Sequence, residues 1–508
     1  MLLLAVSALV PFSAAAPAEV SALLAAVEAH AEHAGPDTCV TPLVAELRAR
    51  ADELTPAQRA WATQALMPWK SDLNARVAPL RATPPPPGAM PTEPCFSIGE
   101  NRVTSAHFAV EWDGSTITES VAQGFLDSLE EGYTVQVDEL GWREPSQVDD
   151  YLVLAYVQSG GSMGAYTTVE ECGNGFVPYI VAYSGSFSSR SWAETMAVHE
   201  LNHALQFSYG FAWEFWWWEA TATYIEGQVY PTSDWWAYYV DGYSQNPQLA
   251  MNASDQNDQD IFWHMYGMAI WANYMSEYLG GPDAVLATWE NAVGAGGYYT
   301  FGMRDAFDAS GLDLDTAYAD FVVRNTVMDY DDQDAIPPVD EVAEVDELPA
   351  SDDVSGNNRP QGYGQSYLRF EAGAGDGDLV VAFDGDPNGQ WSVQLVEVSR
   401  TEVLRVVTGD IVDGVGTLTM PDFGGEDVML VASPLRATDD KFAFAWSADL
   451  VAPEVLDTAE DTGAPLAGDD DTAGEQPSGC GCASTGDVGG LGLGMLLSVA
   501  TLARRRRG

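Results

Sequence analysis

The stretch that most constrains the fold of this 508-residue chain is His199-Glu200-Leu201-Asn202-His203, a match to the pattern H-E-x-x-H. In a helix, side chains four residues apart lie on one face, one turn above the other. Both imidazoles can therefore reach one metal ion, and Glu200 can act as general base on a water molecule held there. The stretch predicts a helix that carries a metal site.

The flanking residues predict where this helix begins and ends. Ser191 followed by Glu194 fits a capping box, which satisfies two backbone N–H groups at a helix start, and Gly210 is a typical stop. Two histidines on an apolar core face are the alternative interpretation. The chain contains only six histidines, so a chance match to the pattern is on the order of one in a hundred, which favours the metal site.

A catalytic zinc site needs at least one more protein ligand and an open position for water. Glu219 follows His203 by sixteen residues, near the start of a second predicted helix. Glu214, in an aromatic loop, and Glu226, two helical turns beyond Glu219, are the competing candidates. We expect one zinc ion held by His199, His203 and Glu219.

Several motifs together give the chain a resemblance to a known family. Besides the zinc motif, the matching segments are Thr41-Pro42-Leu43, Ala204-Leu205-Gln206-Phe207, Glu219-Ala220-Thr221-Ala222-Thr223 and Tyr266-Gly267 before an apolar helix. Over about residues 39–330 the chain resembles the gluzincin zinc metallopeptidases, and more narrowly a family of secreted metalloproteases of myxobacteria. Many gluzincins carry an acidic residue four positions after the third ligand. Here that residue is Thr223, so the ligands must be oriented from elsewhere.

The resemblance implies an α+β fold with a gluzincin-like catalytic domain, in which a small mixed sheet and the zinc helix precede a helical lower part. Runs at 107–112, 151–157 and 179–183 predict strands, and 116–140 predicts a helix. By the same resemblance, the last strand, near residues 178–183, pairs with extended substrate.

The resemblance also implies a mechanism. Water attacks a scissile carbonyl that the metal polarises, with Glu200 as general base, and Tyr266 stabilises the developing oxyanion. A buried tyrosine at a helix start is the alternative interpretation of Tyr266. The aromatic cluster at Trp213 and 215–218 is expected to wall the core beside the metal.

The composition of the chain limits the classes of molecule that it can bind. The formal net charge of −55 excludes nucleic acid, because phosphate binding needs a basic surface. We expect a protein or peptide substrate instead. Calcium could bind the Asp- and Asn-rich segment Asn252–Asp260, but the EF-hand spacing is missing and a solvated loop is the better interpretation.

Composition shifts divide the chain into seven segments. In order, these are a signal peptide (1–16), an N-terminal helical segment with a Pro-rich spacer (17–94), the catalytic domain (95–330), an acidic linker (331–362), a β-sandwich accessory domain (363–450), an acidic disordered linker (451–479) and a C-terminal sorting or anchor segment (480–508). The second segment is either a propeptide or a helical part packed on the catalytic domain.

The C-terminal segment combines two cysteines, a short apolar stretch and four arginines. It resembles a myxobacterial C-terminal sorting signal, which implies an exported protein at the cell surface or outside the cell. Residues 488–503 would anchor it transiently in the cell envelope until a sorting protease acts; a permanent anchor is the alternative. In an exported protein, Cys39–Cys95 is our first disulfide and Cys95–Cys172 is nearly as good, because spacing does not reveal pairing.

The sequence therefore predicts a secreted or surface-sorted zinc endopeptidase. Two alternatives stay open. One is a catalytically inactive surface protein that keeps the scaffold for adhesion, and the other is a zinc hydrolase of a non-peptide amide.

Overall fold

The computed structural model describes residues 82–452, with gaps, together with residues 23–24, 47, 54–55 and 58. The gaps are residues 87–88, 161–163, 174, 211–213, 234, 256–257, 292–301 and 375–376. The predicted signal peptide, Cys39, the second acidic linker beyond residue 452 and the C-terminal segment lie outside the described residues. The described residues belong to one compact unit, which ends at Pro453.

Among the described residues, the first half of this unit contains five strands and nine α-helices. The strands are β1 (Asn101–Thr104), β2 (Phe108–Trp112), β3 (Val153–Gln158), β4 (Ala165–Cys172) and β5 (Gly175–Tyr183). The described α-helices are α1 (Glu119–Tyr133), α2 (Arg190–Gln206), α3 (Phe215–Val229), α4 (Trp235–Ser244), α5 (Gln259–Gly267), α6 (Ala269–Tyr274), α7 (Pro282–Asn291), α8 (Gly302–Ala309) and α9 (Leu314–Arg324). A π-helical turn, Thr134–Glu139, extends α1, and another, Met275–Gly280, extends α6.

The five strands form one mixed sheet in the order β1-β2-β3-β5-β4, with β2, β3 and β5 parallel. The predicted strands and the long helix are present, whereas β1 and β4 were not predicted. The expected substrate strand at residues 178–183 is wrong as a sheet edge. It lies in β5, which pairs with β3 on one side and β4 on the other, so among the described strands β4 is the edge on this side of the sheet and β1 is the edge on the other.

Both faces of this sheet are covered, which explains why its central strands are almost continuously apolar. Alternate residues of β3 enter different cores, because successive side chains of a strand point to opposite faces. Ala155 and Val157 pack with α2, while Leu154 packs in a cluster that also contains Leu24 and Leu47. Described leucines of the N-terminal segment therefore pack on the back of the sheet.

Helix α2 carries the H-E-x-x-H motif and lies against β4, β5, α1 and α3. It begins two residues earlier than predicted, because Ser189 rather than Ser191 is the N-cap and accepts a hydrogen bond from the backbone N–H of Trp192. Every residue from Thr195 to Gln206 is buried, so the helix has no solvent-facing stripe. Because this part of the helix is enclosed, its side chains are held in fixed positions, as a metal site requires.

A disulfide joins Cys95 to Cys172, at the end of β4. The first expected pairing, Cys39–Cys95, is therefore wrong, and the second one is present. The bond ties the edge hairpin β4–β5 to the segment that precedes β1.

The second half of the unit consists of two further sheets. Their strands are β6 (Ala343–Val345), β7 (Ala350–Val354), β8 (Ser366–Phe370), β9 (Gly377–Gly385), β10 (Trp391–Val398), β11 (Val403–Thr408), β12 (Val415–Phe423), β13 (Asp427–Pro434) and β14 (Phe444–Val451). The sheet orders are β11-β10-β13-β8-β6 and β12-β9-β14-β7. Strands β6 and β7 lie in the range that was predicted to be an acidic linker. The α+β class is thus confirmed.

Strand β13 joins the two halves, because its alternate residues belong to different cores. Val428 and Leu430 pack between the two sheets, whereas Met429 and Val431 pack with the helices of the first half. Buried hydrogen bonds cross the same boundary. The Tyr243 hydroxyl accepts from Nε2 of Gln365 at 2.6 Å, and the Tyr367 hydroxyl donates to the carbonyl oxygen of Val322 at 3.1 Å.

None of the helices in the described part of the chain is both long enough and apolar enough to cross a membrane.

Candidate metal centre

Three of the predicted residues converge at one point. The ligand atoms of His199, His203 and Glu219 all lie within 4.8 Å of one another. Oε2 of Glu219 is 3.2 Å from Nε2 of His199 and 3.6 Å from Nε2 of His203. The histidines share one face of α2, and α3 crosses that face and brings Glu219 to it. Among the described residues this is the one group of at least three such side chains that could hold a metal.

Two orphaned atoms test whether the group fits a cation. Nε2 of His203 and Oε1 of Glu219 have no hydrogen-bond partner among the described residues, and both side chains are fully buried. Leaving a buried polar atom unpaired costs about 1–3 kcal/mol. A bound cation would take both atoms as ligands, and two histidines with one glutamate form a donor set of catalytic zinc. The residues present fit the ion.

Glu214 and Glu226, the alternative candidates for the third ligand, make other contacts. Glu214 is the N-cap residue of α3 and accepts hydrogen bonds from Nε1 of Trp216 at 3.0 Å and Nδ2 of Asn252 at 3.2 Å. It is not part of the converging group. Burial raises the pKa of Glu214 to about 7. Glu226 does reach the centre, but at the opposite ring nitrogen of His199, Nδ1, 2.8 Å away.

Each of the two histidines has a hydrogen-bond partner at Nδ1, the ring nitrogen that faces away from the centre. Glu226 contacts Nδ1 of His199, and Oε1 of Gln206 lies 2.7 Å from Nδ1 of His203. A partner on Nδ1 fixes the ring and its tautomer, which leaves Nε2 as the ligand atom. The sequence predicted that orientation would not come from Thr223, and its hydroxyl indeed has no partner among the described residues. Neither Glu226 in this role nor Gln206 was predicted.

The Gln206 amide is oriented by its own contacts. Its Nε2 lies 2.7 Å from Oδ1 of Asn202, 2.9 Å from Oγ1 of Thr221 and 3.0 Å from the carbonyl oxygen of Trp218. The two carbonyl oxygens can only accept, and the Thr221 hydroxyl already donates to the carbonyl oxygen of Trp217 at 2.6 Å. The amide nitrogen must therefore face these partners, and the amide oxygen faces His203. Asn202 is fixed in turn by Gln136, whose Oε1 accepts from its Nδ2 at 3.0 Å.

Charge at the centre favours a cation. Burial opposes ionisation of Glu219, but the two imidazoles lower its pKa to about 2. Burial also opposes the charged form of His199, yet Glu219 and Glu226 raise its pKa to about 10. Glu219 therefore stays ionised, and a metal cation would replace the proton that the two carboxylates favour on His199.

Glu200, the predicted general base, lies beside the centre on the same helix and is only 2% exposed. Burial raises its pKa, while the two histidines and Thr167 act in the opposite direction. The Thr167 hydroxyl, on the edge strand β4, donates to Oε2 of Glu200 at 2.6 Å. The carboxylate is thus held in one orientation by the strand that borders the site.

Tyr266 also reaches the site. Its ring stacks beside that of His199, with centroids 6.1 Å apart, and is 2% exposed. His264, on the same helix, packs beside Tyr243 instead, and burial lowers its pKa to about 3, so it is a neutral core histidine. Trp218, whose ring centroid is 6.2 Å from that of His203, walls the centre as expected, and Trp213 lies outside the described residues.

A small cavity adjoins the centre. Its volume is about 30 Å³, and it is lined by Gly164, Ala165, Trp192, Thr195, Met196, His199, Glu200, Glu226, Tyr239 and Tyr266. One water molecule occupies about that volume in the liquid. The described residues of the Asp- and Asn-rich segment do not support a calcium site. Asp258 is the N-cap of α5, and Nδ2 of Asn252 donates a hydrogen bond to Glu214.

Comparison with known proteins gives one family. No curated protein matches the sequence. The model of a family of unknown function, DUF6055, matches residues 96–398, more than half of the 508 residues. The match includes the mixed sheet, the helices of the metal centre and the strands from β6 to β10. The chain therefore belongs to the DUF6055 family.

Proposed function

We propose that this protein is a zinc-dependent endopeptidase. The observation that carries the proposal is the convergence of His199, His203 and Glu219 beside Glu200. Zinc bound there would supply Lewis acidity, which polarises a carbonyl and makes water a nucleophile at neutral pH.

The chain's own residues supply the proton transfers. Glu200 takes a proton from the attacking water and returns it to the leaving amine, and the Thr167 hydroxyl keeps its carboxylate aimed at the site. The raised pKa of Glu200 suits this exchange, because a base is most effective when its pKa lies near the working pH. Tyr266 lines the same cavity and is our candidate donor to the oxyanion.

The outer edge of β4 is the proposed substrate platform. Ala165 lines the cavity and Thr167 holds Glu200, so a peptide added along this edge would pass the metal centre. Added strands bind through backbone hydrogen bonds, which suits a protein substrate of varied sequence. This arrangement supports the gluzincin-like description of the first half, and the shared core of the two later sheets supports the β-sandwich description of the second.

We propose that the protein works outside the cytoplasm. The Cys95–Cys172 disulfide supports this setting, because such bonds persist in oxidising compartments. The cell-surface location, the transient anchor at residues 488–503 and the sorting protease rest on the sequence pattern.

Metal content and peptide cleavage test the proposal together. We expect one zinc per chain, and cleavage of a peptide library that is lost in Glu200→Gln while zinc is retained. Glu214→Gln is a matched control, because it alters a buried carboxylate outside the metal centre. A wild-type protein without stoichiometric zinc would refute the proposal. Zinc without cleavage of any peptide would favour the adhesion protein or the non-peptide amide hydrolase.

A further inference from the structure

Two open grooves lie around the first turns of α2, near the small cavity at the metal centre. The first, of about 1010 Å³, lies between α1 and the start of α2. The second, of about 510 Å³, lies between α2 and α4. Glu194 lines both grooves, and Thr195 lines both the second groove and the cavity beside His199. Successive residues of a helix point about 100° apart, so the second groove adjoins the cavity and the first groove lies on the other side of the second.

The first groove is strongly acidic. Four carboxylates line it against a single guanidinium, that of Arg190. The carboxylates are Glu119, Asp127, Glu131 and Glu194. Arg190 pairs with Glu194 at 2.7 Å, but its side chain is 92% exposed, so this surface pair contributes little and can exchange partners.

A row of aromatic rings borders the second groove. Tyr238 is 61% exposed, unusually so for a large apolar ring. Its ring lies 6.1 Å from that of Trp235, which lies 5.2 Å from that of Trp192 in the cavity wall. Exposed aromatic faces next to carboxylates attract cationic side chains through cation–π contacts.

Trp192 offers one more contact. Its residue is only 7% exposed, and Nε1 has no hydrogen-bond partner among the described residues. A buried donor in the wall of the cavity suits a backbone carbonyl oxygen of a bound peptide.

We propose that the two grooves bind a basic segment of the substrate, with arginine or lysine side chains between Glu194 and the ring of Tyr238. This specificity rests on the proposed peptidase function. It gives the acidic surface near α2 a specific role, because the carboxylates and the aromatic row meet at Glu194, the neighbour in sequence of Thr195 in the cavity wall.

Peptide binding to the Glu200→Gln protein tests this without turnover. The probes are a labelled arginine-rich peptide and the same peptide with citrulline, which keeps the shape and removes the charge. At about 0.15 M salt, where the Debye length is about 8 Å, we expect the arginine peptide to bind about tenfold more tightly. Glu194→Gln should reduce this preference severalfold, and Arg190→Gln should increase it.

Two controls separate a local site from diffuse charge. Asp283→Asn and Arg400→Gln make the same charge changes at exposed positions that line neither groove. Tyr238→Ala should weaken binding of the arginine peptide with no loss of fold by circular dichroism. Equal affinity for both peptides, or equal effects of Asp283→Asn and Glu194→Gln, would overturn the proposal. If the protein binds the arginine peptide selectively but the wild type cleaves no peptide, the proposed binding site would be supported and the proposed peptidase function refuted.

Discussion

Oε1 of Glu226 lies 2.8 Å from Nδ1 of His199, on the opposite side of the ring from the nitrogen that faces Glu219. One helix, α3, therefore supplies both Glu219, a candidate metal ligand, and the carboxylate that orients His199, so the rotation of α3 sets two contacts at once.

Removing this contact should weaken metal binding without removing a ligand. We expect Glu226→Ala to reduce zinc affinity by about 10- to 100-fold, the usual cost of losing such a partner. Glu226→Gln should cost less, because its amide oxygen can still accept. Competition with a chromogenic chelator measures the affinity. Thr223→Val is the control and should leave it unchanged, because the Thr223 hydroxyl has no partner among the described residues. Equal affinity in Glu226→Ala and wild type would contradict this role.

The hydroxyl of Thr167 should tune the pH dependence of peptide cleavage. Its hydrogen bond lowers the pKa of Glu200 against the effect of burial. Thr167→Val should therefore raise that pKa, shift the acidic limb of the pH profile of kcat/KM to higher pH, and lower the rate at neutral pH by about 10-fold or more. The control is Thr168→Val, since the Thr168 hydroxyl is buried without a partner among the described residues. An unshifted acidic limb in Thr167→Val would count against the contact.

Glu214 should make the fold less stable as pH rises. The unfolded chain releases this proton near the ordinary value of 4.5, whereas the folded protein keeps it to about 7. The folded state thus binds more protons between these values, and the free energy of unfolding falls there by up to about 3 kcal/mol. In Glu214→Gln we expect this decrease in the free energy of unfolding to be absent. Urea unfolding at pH 5 and pH 8 measures the difference, and identical pH dependence in both proteins would disprove it.

The two halves of the described unit should not fold separately. A chain that ends at residue 340 lacks β13 and exposes side chains such as Tyr318, which packs against Tyr363, together with the other residues of the shared core that face the lost strands. Each large apolar side chain exposed costs about 2 kcal/mol, and several such losses exceed the usual stability of about 5–15 kcal/mol. We expect no cooperative unfolding transition for it, and a normal one for a chain ending at residue 452. A cooperative transition in the shorter chain would show that the first half is independent.

The sequence was most informative where one short pattern carries the chemistry. The four-residue spacing of His199 and His203 is set by helix geometry, and Glu219 was found as the nearest acidic residue on the next helix. Glu226 and Gln206 could not be assigned, because their roles depend on how α3 rotates against α2. That rotation is decided by packing among buried tryptophans.

Two of the strands that were not predicted, β7 and β12, have residues that are not typical of a strand, whereas β4 was missed although Tyr166, Thr167, Thr168 and Val169 favour one. The sequence of β7, Ala-Ser-Asp-Asp-Val, has exposed acidic residues, and edge strands tolerate such charges. Strand β12 contains Gly416 and Pro421 and is also an edge. The disulfide pairing needed the fold, since spacing alone left Cys39 and Cys172 as rival partners of Cys95.

The position of β13 also sets the order of events during synthesis. Val431 follows Glu219 by more than two hundred residues, yet it completes the core in which the helices around the metal centre pack. The nascent chain therefore carries His199, His203 and Glu219 long before the residues that complete their surrounding core have been made. We expect the site to take its final form only after residues near Val431 have joined that core.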